Sequence, residues 1–430
     1  MTDLQSNGAF ADVHRILNDG NNLNHPYIRS GNVGAFFIDK KDLGMISTQA
    51  HKSLLKTQTK LHDVLIARKG KIGGASIIMG DAVDFNSNDN VVNLRVTDGC
   101  VNPFYLTTFL NSKYGYKQIE RLATGNVQPW LSMYQVRHLF IIPQSLEFQN
   151  EIQSVIEQAY KVMLGQLDSY NQAENLLLET LGMADFSPSA EKVNIKSFKD
   201  SFAATSRLDA EYYQPKYEDV ITQIQSQAHA RLAQLVSITK SIEPGSDAYS
   251  DDDNGLPFLR VADYSKLGLQ TTQKKLSVRF VAENKAQLTA LMPKANTILF
   301  SKDGSVGEAY CLSADADFVT SSAILHLQVL DNTKILPNYL TLALNSTLVR
   351  MQAERDAGGS IILHWRVSEI ENVIIPLVDF ETQTKIAALV QQSFSLRAES
   401  ERLLDAAKQA VETAIETNED AALAWLTSIH

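Results

Sequence analysis

Apolar residues recur at alternating steps of four and three along two long stretches of this chain, one starting at SLEFQNEIQS and the other at DFETQTKIAA. In the first, Ile152, Ile156, Ala159, Met163, Tyr170, Ala173 and Leu177 form the stripe, and Gln166 takes its one polar place. In the second, Ile386, Leu389, Leu396, Leu403, Ala407, Ala410 and Ala414 form it, and Ser393 and Ser400 interrupt. This is the period of a coiled-coil seam. Each helix would run for about 35–40 residues and roughly 50–60 Å, too long for a globule of ordinary size to bury. Pairing the two helices would cover both stripes at once; the other solution lays each helix on its own globule.

Ahead of each long helix the pattern changes to short β-branched runs, such as VVNLRV at 91–96 and ILHLQV at 324–329, which read as strands. The blocks NPFYL and LPNYL open helices with proline in the first turn, where its missing N–H costs nothing. The order of elements is not a regular βαβ alternation, which disfavours a parallel Rossmann-like sheet. Gly182 and the FSPS run at 186–189 end the first long helix and make 182–205 a connector. Ser206 is then placed to cap a further helix over RLDAEYYQPKYEDVITQIQ, bent or begun again at Pro215.

These two stretches belong to an internal duplication. Setting DVLIARKGKIGGAS at 63–76 beside TILFSKDGSVGEAY at 297–310 pairs Leu65 with Leu299, Gly70 with Gly304, Gly73 with Gly307 and Ala75 with Ala309, an offset of 234. At the same offset Pro103, Tyr105, Leu106, Asn111 and Ser112 meet Pro337, Tyr339, Leu340, Asn345 and Ser346. Glu120, Arg121, Ala123 and Gly125 meet Glu354, Arg355, Ala357 and Gly359. HLFIIP and NVIIP align with a one-residue slip at Phe140, after which Phe148, Gln149 and Ile152 find counterparts near Phe380, Gln383 and Ile386. Separate blocks in one order mark two copies of one plan, a globule and then a long helix.

Composition narrows the class. At 430 residues, with 44% hydrophobic and 20% charged residues, the chain is a globular protein with at least two cores. No stretch reaches the length of a membrane span, and MTDLQSNGAF has neither the basic nor the apolar region of a signal peptide, so a cytoplasmic protein is expected. Cys100 and Cys311 stand far apart without histidine partners at ligand spacing, which argues against zinc or a disulfide framework and for two buried small hydrophobes. The net charge of −10 is unevenly spread: 1–145 carries +4, 146–230 carries −7, 231–377 carries −2 and 378–430 carries −5. The acidic excess thus sits on the helical segments, and a polyanion can still be met by the globules.

Candidate catalytic motifs do not survive inspection. RKGKIGG at 68–74 and SKDGSVGE at 301–308 match neither phosphate-loop pattern. Their recurrence predicts instead a tight turn between two strands, with Arg68, Lys69, Lys71 and Lys302 carried to the surface. His14, His25, His51, His62 and His138 never stand at i, i+4, and HExxH and GxSxG are absent. His326 and His364 have no evident Ser or Cys partner, and no methyltransferase signature occurs. The prediction is no catalytic residue and no metal. What remains is a surface presented twice: the loops TGNVQPWLS at 124–132 and GGSIILHWRVS at 358–368. Asn126, Gln128, His364 and Arg366 offer hydrogen bonds suited to base edges or phosphates. Trp130 and Trp365 offer either aromatic surface or core anchors.

Taken together, the doubled globule-plus-helix plan, RLDAEYYQPKY before the second copy, the G-x-x-G turns, the NPFYL and LPNYL helices, the GNVQ and GGSI loops and the helix starts resemble the specificity subunit of a type I restriction-modification system. The resemblance spans nearly the whole chain. It implies an α+β fold: two similar mixed α/β target-recognition globules separated by two long antiparallel helices in a coiled coil, with a pseudo-two-fold repeat. The first recognition domain would be 1–145, the central spacer and connector 146–230, the second recognition domain 231–377 and the C-terminal spacer 378–430. It further implies that the chain recognises a split site in double-stranded DNA and does not catalyse. The two helices would meet each other at coiled-coil positions such as Ile152, Ile156, Met163, Leu177, Ile386, Leu389, Leu396 and Leu403, and would also dock two modification subunits, which carry S-adenosylmethionine and methylate adenine. Restriction subunits would join that core. Arg29, Arg68, Lys69, Lys71, Arg260 and Lys302 would hold DNA backbone, and Asn126, Gln128, Trp130, Ser360, His364 and Arg366 would line the reading loops. No RLDAEYY-like segment stands before the first copy. An adaptor for a type IIB or methylation-only system, or a duplicated protein-binding scaffold, shares the same sequence features.

Overall fold

The computed structural model describes all residues except 1, 4–9, 19–21, 71, 98, 126–127, 251, 253, 360–361 and 430. The chain forms two compact units, one of residues 1–162 with 399–430 and the other of residues 163–398. Among the described residues no helix is long and apolar enough to cross a membrane.

In the first unit an antiparallel sheet runs in the order Thr2–Asp3, Val91–Arg95, Val64–Ala67, Ala75–Ile77. A smaller sheet joins Leu23–Ile28 to Gly44–Ser47 and, in parallel, to Asn86–Ser87. The helices Pro103–Asn111 and Lys113–Leu122 close the main sheet with Leu106, Leu110 and Ile119, which pack on Val64, Ile66 and Val92. In the second unit the corresponding sheet has the order Ala309–Cys311, Ile298–Ser301, Ile324–Val329, Val236–Lys240, covered by Pro337–Asn345 and Thr347–Asp356. A second sheet there combines Tyr249–Ser250, Lys275–Leu276, Leu256–Leu259 and Val319–Thr320. The strand Ile374–Pro376 pairs with His229–Arg231, just after the helix Pro215–Gln225.

The duplication is written in hydrogen bonds as well as in sequence. Asn111 exchanges bonds with the backbone of Ala75, and Asn345 does the same with Ala309. Gln118 brackets Phe140, and Gln352 brackets Ile374. The Tyr105 hydroxyl donates to Ile142 O and that of Tyr339 to Pro376 O. Gln149 accepts from the Asn102 N–H as Gln383 does from Leu336. All these pairs keep the offset of 234, so the slip expected at Phe140 does not occur; the proline has moved by one position within an unbroken register. The slip falls instead in the third strand, where Ile66 faces Val92 but Phe300 faces Leu325.

The long helices cover Leu146–Thr180 and Phe380–Glu416. Within the first unit Ser400 Oγ donates to Ala159 O at 2.9 Å, and Ser145 N donates to Glu419 at 2.7 Å, so the two chain segments run antiparallel there. Ile152, Ile156, Ala159, Leu403, Ala407 and Ala410 are buried. Within the second unit Tyr170, Ala173 and Leu177 share one core with Ile386, Val390 and Phe394, while Met163, Leu389 and Leu396 are half-buried. The helices pair and also lie on their globules. In the first unit Lys113 N donates to Glu412 and the Phe37 ring packs on Tyr160; in the second, Tyr310 packs on Phe394.

Two local expectations fail. Ser206 caps no following helix: its φ of 57° places it in the left-handed turn that ends a short helix, Phe202–Thr205, and the next α-helix begins at Pro215. Cys100 is exposed in the bend before Pro103, whereas Cys311 is buried and its thiol is pushed up to about 12 by that burial.

Candidate nucleic-acid interface

The glycine turns and the following loops, some sixty residues apart in sequence, form one two-loop surface in each unit. In the first, Val64–Ala67 and Ala75–Ile77 pair antiparallel, and Gly70 and Gly73 between them hold φ of 86° and 92°. The loop is closed by reciprocal bonds between Thr124 and Trp130, and it is tied to the turn by Leu131 N to Arg68 O at 2.7 Å and Gly70 N to Pro129 O at 3.3 Å. The second unit repeats this with reciprocal bonds between Gly358 and His364, Trp365 N to Lys302 O at 2.8 Å and Gly304 N to Leu363 O at 2.8 Å. Gly125 and Gly359 turn the loops at φ of 99° and 130°. A Cβ on Gly359 would lie 2.1 Å from Ile362 O, closer than any side chain tolerates.

This geometry separates the two tryptophans. At the offset of 234, Trp130 corresponds to His364 and Trp365 to Leu131. Trp130 is 43% exposed at the loop surface, and Trp365 is 1% exposed against Phe300, a core anchor. Lys69 corresponds to Asp303, and each bridges to the loop residue opposite, Lys69 to Trp130 and Asp303 to His364.

The charges on these surfaces differ. In the first unit Arg68 is half-buried, with Nε donating to Leu131 O at 2.9 Å, and burial holds its guanidinium below the ordinary value while Asp89 acts in the opposite sense. Lys69 and Gln128 are exposed. In the second, Lys302 is bonded to Asp303, whose other oxygen meets His364 Nδ1 at 2.8 Å. Arg366 is exposed, 4.0 Å from Glu369. His326, which looked partnerless in the sequence, is buried with Nε2 2.9 Å from the Thr320 hydroxyl, and burial pushes it down to about 4. It serves the core.

Arg29 and Arg260 occupy matching places outside the loop pair, each opening a 3-10 turn after a strand of the smaller sheet. Arg260 is tied to Asp263 through Nε at 3.1 Å, whereas Asn32 stands opposite Arg29. Lys71, Asn126 and Ser360 lie outside the described residues. Among the described residues no group of three His, Cys, Asp or Glu side chains could hold a metal. Asp303 was missed in the sequence reading, although the alignment of the two turns already set it against Lys69.

Residues 231–406 match the family model of the Type I restriction modification DNA specificity domain. The first copy carries the same turn, loop and hydrogen bonds as the matched one. Over residues 231–406 the chain is similar to the DNA specificity domain of type I restriction-modification systems. No curated protein matches the sequence. Among solved structures, the type I restriction-modification S subunit from M. genitalium is 14% identical, with 94% of this chain and 88% of that one covered at a TM-score of 0.38. The HsdS subunit from Thermoanaerobacter tengcongensis is 15% identical, with 92% and 90% covered at 0.30.

Proposed function

We propose that each unit reads one half of a split DNA site with its loop pair. The first unit would use Arg68, Lys69, Lys71, Asn126, Gln128 and Trp130, and the second Lys302, Ser360, His364 and Arg366, with Arg29 and Arg260 on the backbone. The observation that carries this reading is the same turn-and-loop frame built twice with different residues at its tips. A frame kept constant while its contact residues change suits two half-sites of different sequence. Residues 1–145 and 231–377 would be the reading domains. The segments 146–230 and 378–430 would hold them apart and seat two modification subunits that carry S-adenosylmethionine, with restriction subunits joining that assembly in the cytoplasm. The chain itself would recognise without catalysing.

Base pairs between the half-sites are then spanned and not read. The test inserts one helical turn into both long helices and selects DNA targets with the chain assembled with its modification subunits. The expected result is a changed spacer between two unchanged half-sites; an unaltered spacer, or no selection by the parent complex, overturns the reading.

A further inference from the structure

The carbonyl at the entry of each reading loop is held in two different ways. In the first unit Leu122 O accepts from the side-chain amide of Gln135. The matching residues in the second unit are Asp356 and Glu369, and a carboxylate cannot donate. There the connector supplies the donor: Arg207 Nη1 reaches Asp356 O at 2.9 Å. Arg207 is anchored by Asp209 through Nε at 2.9 Å and Nη2 at 2.6 Å. Its guanidinium lies 4.5 Å from the centre of the Tyr212 ring, with that of Arg355 at 5.0 Å from the same ring. Arg355 in turn donates to the Asp356 carboxylate at 2.6 Å and 3.1 Å. Glu369, just beyond the loop, stands 3.9 Å from Arg207. One side chain thus bonds the carbonyl just before the loop 357–366 and pairs with a carboxylate shortly after it, beside a cavity of about 490 Å³ that His364 and Arg366 also line.

A guanidinium in this place satisfies one of the last carbonyls of the helix Thr347–Asp356 and suits the negative end of its dipole. Its bonds to Asp209 are charge-assisted, so its position is well defined. We propose that Arg207 is a positioning residue that seats the second reading loop, so that the RLDAEYY segment sets the base preference of the second half-site. This rests on the reading of 357–366 as a DNA-contacting loop.

The test is selection of DNA targets by the full chain assembled with its modification subunits. Arg207→Ala is expected to lower discrimination at the second half-site about tenfold, the worth of one charge-assisted bond, and to leave the first half-site unchanged. Adding Glu369→Gln, which installs the amide donor that Gln135 supplies in the first unit, is expected to restore most of that loss. Asp209→Asn, which leaves Arg207 in place but unanchored, should repeat the effect more mildly and stands in if the alanine variant does not assemble. Unchanged selection by these variants overturns the proposal, as does an equal loss at both half-sites with no rescue by Glu369→Gln. Failure of the parent complex to select any sequence would bring down the underlying reading as well, and is seen in the parent alone.

Discussion

The two loop surfaces share a frame and differ in how they treat charge. In the first unit Lys69 faces Trp130 across the turn, and an asparagine stands opposite Arg29. In the second, Asp303 replaces the lysine and engages both Lys302 and His364, while Asp263 engages Arg260. The backbone that shapes the loop is therefore independent of the charge it presents, and a duplicated scaffold can be retuned by side chains at its tip alone. On the proposed reading, the first surface would meet backbone phosphate with the salt dependence that follows from counterion release, whereas in the second Lys302 and Arg260 are held in pairs, which favours orientation over simple attraction.

A second difference lies behind the loops. In the second unit Ile374–Pro376 pairs with His229–Arg231, and Gln352 beneath it is buried. The matching Phe140 in the first unit is 78% exposed, and no strand pairs with residues 139–142 among the described residues.

The comparison breaks most readily at the loop glycines. Gly359→Ala is expected to cost about 3 kcal/mol, because the new Cβ meets backbone and φ is positive; Gly125→Ala, whose nearest contact is looser at 2.7 Å, should cost less. Denaturant melts of both variants test the order, and equal costs would mean that the two loops give way alike.

The buried His326 separates the units by pH. Its folded value of about 4 lies below the unfolded 6.5, so between these values the unfolded chain binds more protons. The stability it contributes is complete above pH 6.5 and is lost as pH falls toward 4, by up to about 3 kcal/mol before allowance for partial solvation. His326→Asn, which copies the buried Asn93 at the matching strand position of the first unit, should flatten that stretch of the stability profile. A profile unchanged by the substitution would assign the pH dependence to other groups.

The smallest effect concerns the charge itself. Asp303→Lys installs the residue of the first unit, and should raise affinity for DNA of any sequence about tenfold at low salt and steepen the salt dependence by about one phosphate contact. A titration across salt concentrations measures both, and an unchanged slope would place this surface away from the DNA backbone.

Much of this molecule is set by its sequence pattern alone. Every seam position from Ile152 to Leu177 is buried or half-buried, and the offset of 234 recovers the frame of both loops, because periodicity and repetition are properties of the chain alone. The sequence also showed Lys69 set against Asp303. It could not show that Trp130 faces solvent while Trp365 fills the core, since the two residues occupy different positions in the frame and only the pairing of turn with loop reveals it. Nor could it show Arg207 reaching a carbonyl 149 residues away. Local spacing determines which residues share a helix face or a turn; which distant group satisfies a given carbonyl or carboxylate is decided only when the elements pack and each buried polar atom must find a partner.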